Sequence, residues 1–285
     1  MLQPGFMPTR EYPQFLIASR NLGGLGNLMS HKLIMALTRM GTKMMTKRWL
    51  KVSDADVGPL MDPVAAYDPN GPGKRLHAYS DLLVPRPKAW PDTEILTGYP
   101  FTAPEDYAPS DELAAFLEDG ERPIYVGFGS MPGIDHDRTT RALLGALEST
   151  GRRAVVATGW GGIKDVETNG RIHVLEAVPH SWLFPRVAAV VHHGGSGTTH
   201  EGLRWGKPSV ICPLFADQPF FGERVAALGA GPRPIHQKRL TAEKLAAAIE
   251  QALSPAVMAR AAEIGAQMRA EDGVGRIVEV IEGAA

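Results

Sequence analysis

A glycine-rich turn at residues 194–199, with the sequence GGSGTT, constrains this chain more than any other stretch. The turn follows an apolar run at 187–191, whose β-branched residues predict a buried strand. A helical pattern that ends near Trp205 follows the turn. The first amides of a helix have no acceptor within the helix, and the helix dipole favours negative charge there. The sequence therefore predicts a strand, a turn and a helix that together bind an anion.

The anion predicted for this turn is a pyrophosphate. The turn is not a Walker loop, because no lysine follows its glycines, and it is not GxGxxG, because His200 stands at the last glycine position. Glycines let a phosphate approach the backbone, and hydroxyl and imidazole groups add hydrogen-bond donors. The residues predicted to form this site are His193, Gly195, Ser196, Gly197 and Thr198.

Polar residues beyond the turn favour a nucleotide-sugar as the ligand. Glu201 lies one helical turn further on, where a carboxylate can accept hydrogen bonds from two ribose hydroxyls. Asp217 and Gln218 follow the next apolar run, at 208–212, and offer the donors and acceptors that a sugar ring needs. The alternatives are a solvated surface charge for Glu201 and a helix cap for Asp217.

From residue 110 onward, strand and helix patterns alternate, which is typical of a parallel sheet covered by helices. Strands are predicted at 124–128, 154–157, 172–175, 187–191 and 208–212. A short helix is predicted to begin after the capping residue Ser110 and to end at Gly120, and further helices are predicted near 135–149, 198–205, 220–228, 241–253, 255–269 and 273–281. In such a sheet, ligands bind at the carboxyl ends of the strands. Ser130, Trp160, Val178, His193 and Asp217 all follow predicted strands. We therefore expect a single cleft.

Composition narrows the class of function. With a net charge of −1, the chain has no excess of basic residues, and such an excess is expected of a nucleic-acid-binding protein. A single cysteine, Cys212, allows no internal disulfide and fits a reducing compartment. No apolar run reaches the roughly 18 residues of a membrane span, and no signal peptide is seen. The expectation is a soluble, cytoplasmic protein.

The first hundred residues contain many prolines and glycines. A helix is predicted over residues 28–50, because Met29 and Leu33 begin an apolar repeat at helical spacing beside a basic face that has no acid. Two interpretations remain open: a core helix with a solvated basic face, or a surface for an anionic membrane or a lipophilic acceptor. The glycine cluster at 21–27 is interpreted as a flexible connection, and residues 81–84 as a short strand.

Several motifs occur along the chain in a fixed order. The longest is HHGGSGTTHEGLRWGKPSVICPLFADQPFFGER at 192–224, and shorter ones lie at 98–99, 123–133, 158–162 and 178–185. Together they resemble the donor-binding half of the family-1 UDP-glycosyltransferases of the GT-B fold, particularly the sterol and lipid glucosyltransferase branch. The resemblance covers residues 85–285.

The resemblance implies an α/β fold of GT-B type. A complete C-terminal, Rossmann-like nucleotide-sugar domain at 105–285 would follow a partial N-terminal acceptor domain at 1–104. The implied reaction moves a hexose, with glucose expected, from a UDP-sugar to a hydroxyl of a lipophilic acceptor such as a sterol, with inversion at the anomeric carbon. The UDP-sugar is then a co-substrate, and no cofactor is expected.

The resemblance also implies roles for individual residues around the donor. It implies ribose contact for Glu201 and contact with sugar hydroxyls for Asp217 and Gln218. Gly129 and Ser130 resemble a second phosphate-facing loop of the family.

Recognition of the base is the point at which this sequence departs from the family pattern. In many relatives a tryptophan stacks on the nucleotide base of the donor, and Ala177 stands at that position here. Base contact is therefore expected from Val178 and Trp182 instead. For Trp182, packing in the core is an equally open interpretation.

The histidines allow a rival prediction of a metal site, since imidazole is a common metal ligand. The residues concerned are His180, His192, His193 and His200. Their spacing matches no metal motif, so no metal is expected. His192 alternates with its neighbour along the strand and is predicted to be structural.

No catalytic base is identified. In the resembled family the base follows the first strand of the N-terminal domain, and residues 1–14 show no such strand, while His31 lies in a predicted helix and His77 in a predicted loop. We therefore expect the chain to begin in mid-domain and its apolar N-terminal surface to promote self-association. Two hypotheses stay open: a glycosyltransferase whose N-terminal half is missing or supplied elsewhere, and a nucleotide-sugar-binding module without catalysis. A nucleotide-sugar epimerase is a third.

Overall fold

The computed structural model describes residues 7–45, 48, 74–104, 106–129, 135–159, 163 and 166–283. By its internal contacts the chain divides into unit 1, comprising Met1–Pro100 with Gly273–Ala285, and unit 2, comprising Phe101–Asp272. The boundary drawn from the sequence at 104 lies near this division, but it grouped the last helix with the second domain. That helix belongs to unit 1, because Gly273 packs so closely on Tyr99 that an added Cβ would lie 2.4 Å from the Tyr99 carbonyl oxygen.

The described residues contain both helices and short strands. The helices are α1 (Gly23–Met45), α2 (Asp111–Glu118), α3 (His136–Thr150), α4 (His180–Leu183), α5 (Ser196–Arg204), α6 (Gln218–Ala227), α7 (Ala242–Ala252), α8 (Pro255–Met268) and α9 (Gly273–Ile281). The strands are β1 (Arg75–His77), β2 (Glu94–Leu96), β3 (Ile124–Gly127), β4 (Ala154–Ala157), β5 (Ile172–Leu175), β6 (Val190–His192) and β7 (Ser209–Ile211). None of these helices combines the length and hydropathy of a membrane span.

Unit 1 corrects two local predictions. Residues 81–84 form a turn and not a strand, since the Leu83 and Val84 amides both donate to the Ser80 carbonyl, at 3.2 and 3.0 Å. Apolar side chains of a short run can pack into the core from a turn as well as from a strand, so the pattern alone does not determine the secondary structure. The glycine cluster at 21–27 is also not a loop, because α1 begins within it at Gly23, whose amide donates to Asn21 Oδ1 (2.8 Å).

Helix α1 buries polar side chains and exposes apolar ones. Asn27, Ser30 and His31 are buried; Ser30 Oγ accepts from the Gln14 amide (2.8 Å), and His31 Nε2 lies 3.2 Å from the Tyr12 carbonyl oxygen. The apolar side chains that we call the α1 apolar stripe are 44% to 68% exposed: Leu25, Met29, Leu33, Leu37, Met40 and Met44. The interpretation of α1 as a core helix is therefore wrong for the described residues.

Unit 2 is built on a sheet of five parallel strands in the order β5-β4-β3-β6-β7, as the alternating pattern predicted. The central strand β3 places Val126 opposite Val156 of β4 and Val191 of β6, and all three side chains are fully buried. Alternate residues of the central strands contribute to two separate buried clusters, one containing residues of α3 and α7 and the other containing Leu113 of α2. The sheet is thus buried on both faces, which explains its near-continuous apolar strands.

Local signals position the helices around this sheet. Asp135 caps α3 by accepting from the Arg138 amide (3.0 Å), and Gly151 ends that helix in the left-handed conformation, at φ 66°. Ser110 caps α2 as predicted, by accepting from the Leu113 amide (3.2 Å). The helices predicted from periodicity in unit 2 begin and end within a few residues of those observed.

Candidate functional site

Three strand ends of unit 2 lie together at the carboxyl edge of the sheet. Gly129 follows β3, Gly159 follows β4 and His193 follows β6. A Cβ added to Gly129 would lie 3.4 Å from His193 Cε1, and one added to Gly159 would lie 3.6 Å from the Gly129 backbone. Both glycines have positive φ, at 63° and 55°. Ser130 and Trp160, which the sequence placed at the same edge, lie outside the described residues.

The glycine-rich turn joins β6 to α5. Gly194 needs its positive φ of 94°, and a Cβ there would lie 2.7 Å from Ile211 Cγ2. Gly195 takes the position before the helix, and the helical ladder begins with the Thr199 amide, which donates to the Gly195 carbonyl (3.0 Å). The amides of Gly197 and Thr198 precede that ladder, as an anion site at a helix start requires.

The His193 ring lies between two glycines. Its Cε1 faces Gly129, and a Cβ added to Gly195 would lie 2.6 Å from its Nε2. Its Nδ1 is buried without a hydrogen-bond partner among the described residues. Burial lowers the pKa of His193, so the ring is neutral near pH 7 and carries one donor and one acceptor nitrogen. An unsatisfied buried nitrogen at this position fits a ligand atom.

His192 supports the turn, as its structural role predicts, although its Nε2 is also buried without a hydrogen-bond partner among the described residues. The residue is fully buried, and its Nδ1 accepts from the Gly194 amide (3.1 Å), which holds the turn. Burial, and after it the charge of His193, lowers the pKa of His192 well below its usual value. Its ring centroid lies 6.3 Å from that of His193. Among the described residues, no group of three or more His, Cys, Asp or Glu side chains is arranged to hold a metal.

A buried pair, Tyr125 and His180, was not identified from the sequence. The Tyr125 hydroxyl lies 3.1 Å from His180 Nε2, and His180 stacks on Phe184 at 4.5 Å between centroids. Burial, and after it the charge of His193, lowers the pKa of His180 to about 4. The signal for this pair in the sequence is a histidine among mostly apolar residues at 178–185, and that pattern alone does not separate a buried hydrogen bond from a metal ligand.

Glu201 is held by its own helix. Its Oε1 accepts from Trp205 Nε1 (2.7 Å), and its Oε2 lies 3.5 Å from Arg204 Nη1. An ionised carboxylate offers about four acceptor sites, so these two contacts orient the group and leave capacity for hydroxyls of a ligand. Ribose binding by Glu201 remains a prediction.

Asp217 and Gln218 begin α6 after β7. Gln218 Oε1 accepts from the Leu214 amide (2.8 Å) and the Phe215 amide (3.3 Å), so this side chain closes the loop. Ala216 is held at a positive φ of 56°, which is strained for a residue with a Cβ. Asp217 makes no side-chain capping bond, and burial raises the pKa of its carboxyl. Contact of Asp217 and Gln218 with sugar hydroxyls remains a prediction, and the Gln218 side-chain carbonyl is already used within the loop.

Trp182 packs against other side chains of unit 2. Its ring contacts Tyr107 edge-on at 5.0 Å, and the Arg186 guanidinium lies 4.2 Å from its centroid. Trp182 and Val178 both pack on the buried cluster around Leu183 and Phe184. These contacts favour the packing interpretation of Trp182, and contact of either residue with a base remains a prediction.

Comparison with known sequences gives consistent matches. Residues 147–282 match the family described as erythromycin biosynthesis protein CIII-like, C-terminal domain. The chain is 37% identical over 278 residues to a sterol 3-beta-glucosyltransferase of Arabidopsis thaliana, covering 95% of this chain and 42% of that protein. It is 34% identical to a sterol 3-beta-glucosyltransferase of Yarrowia lipolytica, covering 96% of this chain and 19% of that protein. The chain thus spans less than half of these relatives.

Solved structures give the same fold. The glycotransferase of kitacinnamycin has a TM-score of 0.63 at 22% identity, covering 89% of this chain and 67% of that one. The calicheamicin glycosyltransferase CalG4 has a TM-score of 0.59 at 21% identity, covering 90% and 58%. The α/β fold of GT-B type expected from the motifs is confirmed, and so is the resemblance to sterol glucosyltransferases.

Proposed function

We propose that this chain, which belongs to the UDP-dependent glycosyltransferases of the GT-B fold, binds a UDP-hexose in unit 2 and serves transfer of the hexose to a hydroxyl of a lipophilic acceptor. Glucose is the proposed sugar and a sterol or similar natural product the proposed acceptor. The similarity to sterol 3-beta-glucosyltransferases supports transfer over a binding module without catalysis.

The observation that carries this proposal is the arrangement at the start of α5. His193 Nδ1, which has no partner among the described residues, and the amides of Gly197 and Thr198 belong to one short segment beside two close-approach glycines, Gly129 and Gly159. Such preorganised donors stabilise the negative charge that develops on a departing diphosphate. We propose that the positive helix start supplies this stabilisation without a divalent metal.

The proposed reaction inverts the configuration at the anomeric carbon. The acceptor oxygen forms a bond to that carbon while the bond to the diphosphate oxygen breaks, and UDP departs with the electron pair. The acceptor proton passes to a base. Glu201 and Asp217 position ribose and sugar in this scheme, and Gly195, Ser196 and Thr198 line the diphosphate.

No residue is assigned as the base. His31 and His77, the histidines of unit 1, are 1% and 0% exposed, and each has a protein partner. His77 lies at the end of β1 and not in the loop that the sequence predicted. We propose that the chain alone binds the donor but transfers slowly, because general-base assistance is worth about 10²–10⁴-fold. A complementing N-terminal half is therefore a proposed partner.

The direct test is glucosyl transfer from UDP-glucose to a panel of sterols, macrolides and phenols. The purified chain is assayed with and without a complementing N-terminal half. Turnover that requires the added half and is lost in His193→Ala supports the proposal. Absence of turnover in every combination, with UDP still bound, would favour the binding module.

Removal of the proposed donor contacts is expected to weaken UDP binding. His193→Ala and Glu201→Ala should each raise the dissociation constant by an amount that corresponds to about 1–3 kcal/mol, the value of a charge-assisted hydrogen bond. Calorimetric titration with UDP measures the change. Exposed Arg171, outside the proposed site, supplies the control variant Arg171→Ala. If both site variants bind like the wild type, the donor site lies elsewhere.

We further propose that the α1 apolar stripe contacts an anionic membrane surface, from which the lipophilic acceptor is drawn. Lys32, Arg39 and Lys43 belong to the same helix, and residues 23–45 contain no acid, so the charge complements an anionic bilayer. Cytoplasmic location is the matching proposal, supported by the single buried thiol of Cys212.

Flotation with vesicles that contain phosphatidylserine tests the membrane contact. At low salt the chain is expected to float with the vesicles, and the double variant Leu33→Ser with Leu37→Ser is expected to remain at the bottom of the gradient. The control Leu144→Ser alters an exposed leucine of unit 2 and should float like the wild type. No association at low salt would contradict the proposal and leave self-association, measured by sedimentation, as the occupant of the stripe.

A further inference from the structure

A cavity of unit 2 lies at the amino-terminal edge of the sheet, opposite the glycine-rich turn. It has a volume of about 480 Å³, within the range of small-molecule sites. Ile124 at the start of β3, Ala188 just before β6 and Pro208 just before β7 contribute to its wall. No role in the proposed transfer involves this edge. We call it the basic cavity, because Arg122, Arg152, Lys207 and Arg269 line it.

The charged lining of the basic cavity is strongly unbalanced. Arg122, Arg152, Lys207 and Arg269 line it, against one acid, Glu121. Arg152 is neutralised, because it forms two hydrogen bonds to Glu250, at 2.9 and 3.1 Å, and a third to Glu121 at 3.3 Å. The only acid in the lining is therefore already paired.

Two of the remaining cations, Lys207 and Arg269, donate to neutral carbonyl groups. Lys207 Nζ donates to the Pro185 carbonyl (3.2 Å), and Arg269 Nη1 donates to the Arg204 carbonyl (2.6 Å). Within the described ranges, no carboxylate lies at ion-pair distance from Arg122, Lys207 or Arg269. Lys207 is only 9% exposed, and burying an ammonium without a counter-charge is costly. Burial, and after it the charge of Arg122, lowers the pKa of Lys207 to about 8.

Apolar side chains make up most of the remaining wall. Trp205, Leu253 and Met258 line it together with Val187 and Ala262. An inorganic ion would leave these groups exposed to water, whereas a neutral apolar ligand would leave the cations uncompensated.

We propose that the basic cavity binds a small amphiphilic anion, an apolar body that carries a phosphate or carboxylate group. The anionic group neutralises Lys207 and Arg122, with Arg269 beside them, and the apolar body covers Trp205 and Met258. The proposal does not rest on the proposed function, because the cavity lies at the edge of the sheet opposite the glycine-rich turn. The two sites share only Trp205, whose ring lines the cavity and whose Nε1 donates to Glu201.

Calorimetry with octyl phosphate, octanoate, inorganic phosphate and octanol tests this assignment, in the presence of saturating UDP so that the glycine-rich turn is occupied. Octyl phosphate or octanoate should bind, inorganic phosphate should bind more weakly, and octanol should not bind measurably. Lys207→Met and the exposed Arg122→Ala should each weaken binding by about tenfold, as expected for a lost charge-assisted contact. Arg171→Ala, an exposed arginine near the same edge, should leave binding unchanged.

Two results would overturn the assignment. One is octyl phosphate affinity that is unchanged in Arg122→Ala and Lys207→Met, or equalled by octanol. The other is octyl phosphate binding that is found without UDP and is abolished by saturating UDP, which would locate the anion at the glycine-rich turn. Arg122→Ala keeps the test decisive even if Lys207→Met does not fold, because the Arg122 side chain is exposed.

Discussion

Replacing Glu94 with alanine is expected to lower the free energy of unfolding by about 3–5 kcal/mol, the cost of removing one partner of a buried ion pair. Glu94 is 1% exposed and lies on β2 directly opposite Arg75 of β1. Its Oε1 pairs with Arg75 Nε, and its Oε2 lies 2.7 Å from His77 Nε2. Burial is the main cause that lowers the pKa of His77, so the charge pair near pH 7 is Glu94 with Arg75. Alanine leaves that guanidinium buried without a counter-charge.

Denaturant unfolding gives the magnitude, and hydrogen exchange of residues 74–97 locates the loss in unit 1. The matched control is Asp92→Ala, an exposed acid two residues away, which should change stability by less than about 0.5 kcal/mol. A Glu94→Ala variant as stable as the control would show that the pair contributes nothing to unit 1.

Lowering the pH from 6.5 to 4 is expected to remove several kcal/mol of stability from unit 2. Burial lowers the pKa of both His180 and His200 from 6.5 to about 4. As the pH falls below 6.5, the unfolded chain binds protons that the folded chain excludes, so stability is complete above pH 6.5 and is lost toward pH 4. Each histidine adds a slope of about 1.4 kcal/mol per pH unit, which amounts to on the order of 3 kcal/mol over the window.

Denaturant unfolding at several pH values between 6.5 and 5 measures this slope above the range in which most carboxyls titrate. His180→Gln keeps an acceptor for the Tyr125 hydroxyl and should reduce the slope by about 1.4 kcal/mol per pH unit. Gln251→Ala, at an exposed position of α7, removes no titratable group and is the control that should leave the slope unchanged. Stability that does not vary over this range would mean that these histidines are not buried in the neutral form.

The sheet of unit 2 could be predicted because its strands are buried on both faces. Continuous apolar runs bounded by turn residues located β4 and β5 without error, and a capping serine located α2. Unit 1 was less predictable. Residues 81–84 and the helix α1 depend on tertiary neighbours, because a short apolar run suits a turn as well as a strand, and α1 buries its polar side.

The turn and helix start that we propose as the anion site could be predicted from the sequence, because their geometry depends on the local backbone. Glycines at 194 and 195 and a following helix are local features, and the structure has them as a positive-φ turn and a helix start. The side-chain partners were not visible. The hydrogen bond from Trp205 to Glu201 depends on the side-chain rotamers, which the sequence does not specify. The hydrogen bonds from the 214–215 amides to Gln218 depend on how the backbone folds around Ala216.

Calorimetric titration of the purified chain with UDP in the presence of EDTA tests the central claim most directly. We expect binding in the micromolar range that EDTA does not change, because the start of α5 and His193 supply the positive field and donors for the diphosphate. Strict dependence on magnesium or manganese, or absence of UDP binding to a folded chain, would contradict the assignment of unit 2 as the donor-binding unit.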